Sequence, residues 1–486
     1  MKKFLAILLA AMMLVGCGAA SAPEAQGEAL VEPESSAAQF DEEVDVLVVG
    51  AGGAGMCAAI EAKNAGVEKV LVIDKQEKLN SLTYLCEGIL SGYEDQIAKK
   101  HDVHETAQHC FDQMMRSGKW RADPALTWIT AEECGNLIDW LIDEVNVPFK
   151  DVCEVNPGYG PLALIHYVEG KGAGLRQPFL DKLEAIGVEL RMSNRAVELI
   201  GNETHKEVIG AKVETADGVK TVKADAVVLC TGGYADSPEM IGRVNPGTEY
   251  MITMRPNGPS TGDGIILASE FGAMMHNMDR TIYGGGDYSS NPNRLNGMMM
   301  LDAKGARFKD ERGHYAVSRD SYRVGMQSNG VDYYWVVGDA ASTAASEGDQ
   351  TAVEKNPNII VADTLAELAE KTGMDAAVLE ETVAAWNKGV EAGKDEAFDR
   401  NPETMAKLET APYYAMKAGC RAGFTYGGIA RNENGEVLNY RGTTIPGLYV
   451  GGEAAVAACD NGWTMSHAMT WGRIAGKSAA AYAMAH

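Results

Sequence analysis

The sequence predicts an α/β fold, and three observations carry that expectation. An apolar strand runs through a glycine turn into an Ala-rich helix at "VDVLVVGAGGAGMCAAIEAKNAG", Val44 to Gly66. Two later apolar stretches, "ADAVVLCTGG" and "GLYVGGE", also stop on paired glycines. Between about residues 279 and 423 the regular strand–helix alternation lapses, and it resumes at "FTYGG".

The amino-terminal stretch reads as a separate object. Lys2 and Lys3 precede "FLAILLAAMMLV", an apolar run too short to span a membrane as a mature helix and laid out like a secretory signal. Leu14 to Cys17, "LVGC", resembles a bacterial lipobox. That resemblance implies cleavage before Cys17 and a diacylglycerol on its thiol; the alternative is an ordinary secretory signal in which Cys17 is incidental. Residues 18–42 are acidic and poor in large apolar side chains, as a flexible tether would be. Both alternatives place the folded part outside the cytoplasm; the lipobox places it on the outer face of the bacterial cytoplasmic membrane.

A formal charge of −25, from 43 basic and 68 acidic residues, argues against nucleic acid or an anionic membrane surface as the main ligand. The nine cysteines show no C-x-x-C spacing, no haem-attachment motif and no local zinc pattern. Cys57, inside the first helix, and Cys230, at a strand end, read as buried packing thiols. A disulfide or cluster assembled from distant positions stays open.

The local chemistry begins at G-x-G-x-x-G, formed by Gly50, Gly52 and Gly55. The first glycine permits a tight turn, the second lets backbone approach a pyrophosphate, and the third lets helix pack on strand. Amides at the helix N-terminus then face the phosphates. A second strand, "KVLVID", ends at Asp74, where a carboxylate meets a ribose hydroxyl. FAD and NAD both fit this unit.

Later segments separate them. The order "GAGGAG…ID", "CTGGY", "TGDG", "YYA", "TYGG", "IPGLYVGGE", "TWGRIAG" resembles the fumarate reductase/succinate dehydrogenase flavoprotein family. Its relatives include soluble fumarate reductases, urocanate reductase and the 3-ketosteroid dehydrogenases. The resemblance runs from about Glu43 to the end of the sequence. It implies a Rossmann-like FAD-binding domain, residues 43–278 and 424–486, with an inserted α+β capping domain, residues 279–423, that closes over the substrate. By position, Asp74 with Lys75 would hold the adenosine ribose. Ala54, Thr83 and Gly88 would pass along the pyrophosphate and flavin, and Val197 would offer backbone to adenine. Cys230, Thr231 and Gly232 would flank the dinucleotide, with Asp263 close by. Glu453 would bind the ribityl chain. Thr464 and Met465 would open a final helix whose positive end suits an anionic reduced flavin. Covalent members carry a His within S-H-T. Here the triplet is Ser81-Leu82-Thr83, so the FAD is expected to be noncovalent.

Reducing an activated alkene needs a hydride from flavin N5 and a proton on the neighbouring carbon. It also needs cationic or N–H groups on the electron-withdrawing substituent. In fumarate reductases arginines and histidines fill these roles, and this chain lacks most of them. Phe424 stands where a His is expected before T-x-G-G, and Cys459 near an expected Arg. The proton-donating Arg is missing from "YYWVVGDAAST", and the junction His falls near Gly284. These losses point away from fumarate, toward a bulkier and less anionic enone or acrylate. Tyr283, Tyr288, Tyr315, Tyr413, Tyr414 and Tyr426 are available hydroxyls. Glu311 ends the family's G-x-R-F-x-x-E strand pair. With Arg312, Arg319 or Arg280 it reads either as a proton relay or as a surface ion pair. Gly462 resembles the steroid dehydrogenases' backbone donor to a ketone, without the partner tyrosine, whose place Ala458 takes. Electrons would come from a separate redox protein. The same fold run backwards would dehydrogenate a ketosteroid-like substrate, and a lipoprotein that kept the fold without the chemistry is the reading of a different class.

Overall fold

The computed structural model describes residues 40–118, 120–155, 164–245, 252–253, 258–285, 297–311, 324–326, 329–345, 358–459 and 463–486. The signal, Cys17 and nearly all of the tether lie outside the described residues. Among those residues, no helix is long and apolar enough to cross a membrane.

Strand β1 (Glu42–Val49), helix α1 (Gly53–Asn64) and strand β2 (Val70–Ile73) form the unit expected from the glycine turn. β1 lies between two parallel partners, with Val46 opposite Val70 of β2 and opposite Ala226 of the Gly218–Leu229 strand. β2 continues to Glu189–Arg191, and the Gly218–Leu229 strand to Thr444–Val450, all in parallel. Glu436–Leu438 closes that edge in antiparallel pairing.

Both faces of this sheet are covered, which is why its strands are continuous apolar runs rather than alternating ones. Val46, Val48, Val70, Val72 and Val228 pack with α1 on one face. Leu47, Val49, Leu71, Ile73 and Leu229 pack on the other, under an antiparallel meander, Arg195–Gly201 and Val208–Thr215, and the helix Asp263–Glu270.

α1 crosses the terminal helix Thr464–Ala483 with almost no side chain between them. A Cβ at Gly472 would lie 2.2 Å from the Ala54 carbonyl oxygen, and one at Gly476 would lie 2.2 Å from that of Ala58. Both pairs are spaced by four, so each helix presents one narrow face of small residues. Beside the crossing Arg473 Nε meets Glu61 Oε1 at 2.7 Å.

Within residues 279–423 a second sheet forms, antiparallel throughout, in the order Met299–Leu301, Tyr334–Asp339, Tyr413–Ala418, Ile359–Ala362. The two amphipathic helices expected there are Leu365–Thr372 and Ala376–Ala392. Thr364 and Asp375 cap their N-termini, and Gly373 and Gly393 end them in the left-handed conformation that favours glycine. Leu368, Leu379, Val383 and Trp386 turn onto the sheet, as three-and-four spacing requires. The G-x-R-F-x-x-E stretch departs from the expected strand pair, because after a turn at Gly305 it contributes only a single bridge, Arg307 to Leu301. The insert's two connections lie side by side: Cys420–Thr425 pairs with Thr281–Gly285 and, on its other edge, with Ile252–Thr253.

Candidate active site

The turn after β1 is closed by backbone. Gly50 has φ +107°, and a Cβ on it would sit 2.3 Å from the Cys230 carbonyl oxygen. A Cβ on Gly55 would fall 1.8 Å from the Gly50 oxygen. Gly52 faces Ser81, whose Oγ would be 3.3 Å from an added Cβ. The Gly53 amide donates to Thr83 Oγ1 at 3.0 Å. Asp74 accepts from the Ala51 and Gln76 amides, each at 2.8 Å. Burial pushes its carboxyl up, and these two amides oppose that push.

These elements line a cavity of about 720 Å³ that runs from Asp74 and Arg195 past the glycine turn to Phe424, Tyr426, Cys459 and His467. The residues fit a dinucleotide on grounds of their own. Ser81 Oγ is buried without a hydrogen-bond partner among the described residues, beside the N-terminus of α1 and a glycine cradle that any side chain would fill. Such a cradle suits phosphate oxygens.

At one end Asp263 meets Lys75 Nζ at 3.3 Å and Arg195 Nε at 2.9 Å. Burial pushes the Asp263 carboxyl up, but Thr261, Lys75 and Arg195 outweigh it and hold the group below the usual range. Thr231 Oγ1 accepts from the Gly264 amide at 3.2 Å, and Gly232 takes φ +76°. Burial pushes the Cys230 thiol up to about 12. Glu453 Oε1 accepts from the Thr425 amide at 2.8 Å, and a Cβ on Gly233 would come within 2.5 Å of it. Thr464 and Met465 open the terminal helix on the cavity wall, with Met465 Sδ 3.0 Å from Cys86 Sγ.

Gly50, Gly52, Ala54, Asp74, Lys75, Thr83, Cys230, Thr231, Gly232, Asp263, Glu453, Thr464 and Met465 therefore share one cavity. Gly55 stands behind it as the packing glycine. Gly88 does not line it; its φ of +68° lets the chain press on Lys171, whose carbonyl carbon would be 2.4 Å from a Cβ. Val197 is 38% exposed and falls in a register shift of its strand, while Arg195 and Ala196 do the lining.

The opposite end is aromatic. Phe424 and Tyr426 stand edge to face, 5.5 Å between centroids. The guanidinium of buried Arg280 lies 4.9 Å from the Tyr426 ring centroid. Arg280 does not itself line the cavity; it backs a residue that does. Tyr283 is placed only as a strand residue paired with Ala422. Tyr413 and Tyr414 lie on the insert's sheet, away from the cavity. Arg312, Arg319, Gly462, Tyr288 and Tyr315 lie outside the described residues.

Glu311 corrects one sequence reading, the surface pair. It is fully buried inside the insert and does not line the cavity. Its carboxylate accepts from Arg307 Nε and Nη2 and from Arg400 Nη1, each at 2.9 Å, and from the Met300 amide at 3.1 Å. Arg307 in turn holds Asp395. Burial pushes the Glu311 carboxyl up, and the two guanidiniums outweigh it and hold the group below its ordinary value.

Two residues that the sequence reading does not single out stand at the aromatic end: His467, which lines the cavity, and Arg431 behind it. A polar residue one turn into a helix whose start was expected to face the flavin was a signal for the first. Nothing in the spacing pointed to the second. Cys110, Cys134 and Cys459 meet in an apolar cluster with Met114 and Trp463, and no disulfide joins them.

A parallel sheet, a glycine turn against a helix N-terminus and an acid closing the second strand define a dinucleotide-binding α/β protein. The chain belongs to the FAD binding domain family, whose profile matches residues 45–465, and its cofactor is FAD. It is 29% identical to the fumarate reductase (cytochrome) of Shewanella frigidimarina, across 90% of this chain and 77% of that one. It is 25% identical to the vinyl phenol reductase of Lactiplantibacillus plantarum, across 90% of this chain and 96% of that one. Among solved structures, the open conformation of a flavocytochrome c3 fumarate reductase superposes with a TM-score of 0.73 at 28% identity, covering 92% of this chain and 80% of that one.

Proposed function

We propose that this chain is an extracytoplasmic, lipid-anchored reductase that saturates the carbon–carbon double bond of an α,β-unsaturated substrate bulkier and less anionic than fumarate. The wall formed by Phe424, Tyr426 and Cys459 carries the reading of the substrate. Ring edges and a thiol stand where a dicarboxylate would need cations, and desolvating two carboxylates against them would be costly. The similarity to a vinyl phenol reductase supports an acceptor that bears an aromatic ring. The amino-terminal signal and "LVGC" support the location.

When bound, FAD supplies the hydride at N5. The chain's own residues hold and screen the reactants. Asp74 takes the ribose, the amides at the start of α1 and Ser81 Oγ take the pyrophosphate, and Glu453 takes the ribityl hydroxyls. The N-terminus of the terminal helix at Thr464 favours negative charge beside it. Leu82, in place of histidine, supports noncovalent attachment. Phe424 and Tyr426, set edge to face, wall one side of a planar acceptor and exclude water. Tyr426 is the proton donor we assign. Arg280, stacked on its ring, stabilises the negative charge that donation leaves behind.

Anaerobically reduced protein tests this directly. Cinnamates, vinyl phenols and enones are expected to reoxidise it much faster than fumarate does. Tyr426→Phe is expected to slow that step by about a hundredfold, the lower range for a lost general acid, at unchanged flavin content. Reoxidation by fumarate alone, or by no acceptor, would defeat the proposal. The electron donor is assigned to a separate redox protein.

A further inference from the structure

His467 lies one turn into the terminal helix, 4% exposed, with its ring on the cavity wall. Its Nε2 faces two groups, the Ala458 amide at 3.1 Å and Arg431 Nη2 at 3.0 Å. Both are donors without a lone pair to offer. Nε2 must therefore accept, and the proton of the neutral ring sits on Nδ1, which has no hydrogen-bond partner among the described residues.

Arg431 is 3% exposed and lies 3.9 Å from the Trp471 ring centroid. Its Nε and Nη1 are buried without hydrogen-bond partners among the described residues. Among the described residues its charge meets a ring face rather than a carboxylate. A proton added to Nε2 would point at two donors, one of them this cation. Burial, and then Arg431, hold the imidazole well below its ordinary range. Among the described residues, the Cys459 thiol and the more distant Asp123 act on Arg431, the Cys134 thiol lies against Cys459, and the Tyr426 phenol, backed by Arg280, shares this end of the cavity.

We infer that His467 is a fixed neutral hydrogen-bond donor for a carbonyl oxygen that gains negative charge in the cavity, and that Arg431 is the positioning residue that locks it in that form. A neutral imidazole so held polarises a carbonyl across the range in which a free one would titrate. It supplies through one N–H part of what the missing cations would do. Two oxygens have this chemistry, the substrate carbonyl and the flavin C2 carbonyl. The inference rests on the proposed reductase only in naming the first.

The test uses the FAD-loaded protein and two readouts that need no turnover. One is the affinity for 4-hydroxybenzaldehyde, a planar carbonyl probe, from the flavin difference spectrum. The other is the flavin midpoint potential; both are followed between about pH 5 and 9. His467→Ala is expected to weaken the probe about tenfold, as for one lost hydrogen bond, or to lower the midpoint potential. His467→Asn, with a donor near the Nδ1 position, is expected to restore most of the loss. A change in probe affinity alone assigns the substrate oxygen, and a change in potential without probe assigns the flavin oxygen. Arg431→Met is expected to raise the imidazole pKa and add a pH-dependent break that the parent lacks. Parent-like values for His467→Ala, or an Arg431→Met profile that overlays the parent's, would overturn the inference. Failure of every unsaturated acceptor to reoxidise the protein would instead remove the reductase reading and leave these readouts standing.

Discussion

Gly55→Leu is expected to yield protein that retains almost no FAD. The added Cβ would sit 1.8 Å from the Gly50 carbonyl oxygen, a backbone atom of the turn itself. No rotamer relieves such a contact, so α1 must move away from β1. The amides and the carboxylate that define the nucleotide end then lose their registration: Gly53 from Thr83, and Ala51 from Asp74. A displacement that costs about 3 kcal/mol, at the upper range for overpacking, lowers cofactor affinity more than a hundredfold. The absorbance ratio of flavin to protein after gel filtration reads this directly. Gly53→Ala is the contrast. Its new methyl would approach Met469 Cε at 2.7 Å, the far end of a flexible side chain, and flavin content is expected to stay near the parent level.

Glu311→Ala is expected to destabilise the insert by about 3–5 kcal/mol, the range for breaking a buried ion pair from one side. It removes the buried carboxylate that the Arg400 and Arg307 guanidiniums share. Urea unfolding would show a lower midpoint or an early separate transition. A relay role would instead slow turnover at an unchanged midpoint. The pH dependence has a definite sign. Burial pushes the Glu311 carboxyl up, yet Arg307 and Arg400 outweigh it and hold the group below its ordinary value. Its contribution is therefore present above the unfolded-state pKa and is lost as pH falls through the lower, folded-state value. The parent is expected to lose stability on acidification over that window, and Glu311→Ala to lack that component.

What the sequence disclosed and what it hid divide along chain separation. The β1–α1–β2 unit was legible because each requirement is met within thirty residues: Gly50 for the turn, Gly55 for the packing, Asp74 at the next strand end. The paired helices of the insert were legible for the same reason, through caps and apolar spacing that are local. Of Glu311's two partners, Arg307 is four residues away and was overlooked, whereas Arg400 is 89 residues away with no periodicity to link them. Arginines near in number, Arg312 and Arg319, drew the reading instead. His467 was passed over although it lies one turn into a helix already read as facing the cofactor, and its character depends on Arg431, 36 residues earlier. Gly88 was placed against the cofactor by analogy of position, whereas its conformation serves a backbone contact with Lys171.

The crossing of α1 with the terminal helix has a consequence for biosynthesis. Arg473 and Glu61, which join across it, are 412 positions apart. During translation the first phosphate-binding turn emerges long before the partner that covers it, and the intervening polypeptide must be threaded through first. Cofactor loading is thus a late event, gated by arrival of the Thr464–Ala483 segment, and a nonsense codon placed just before Thr464 would yield a chain unable to become yellow however well its earlier portions had condensed.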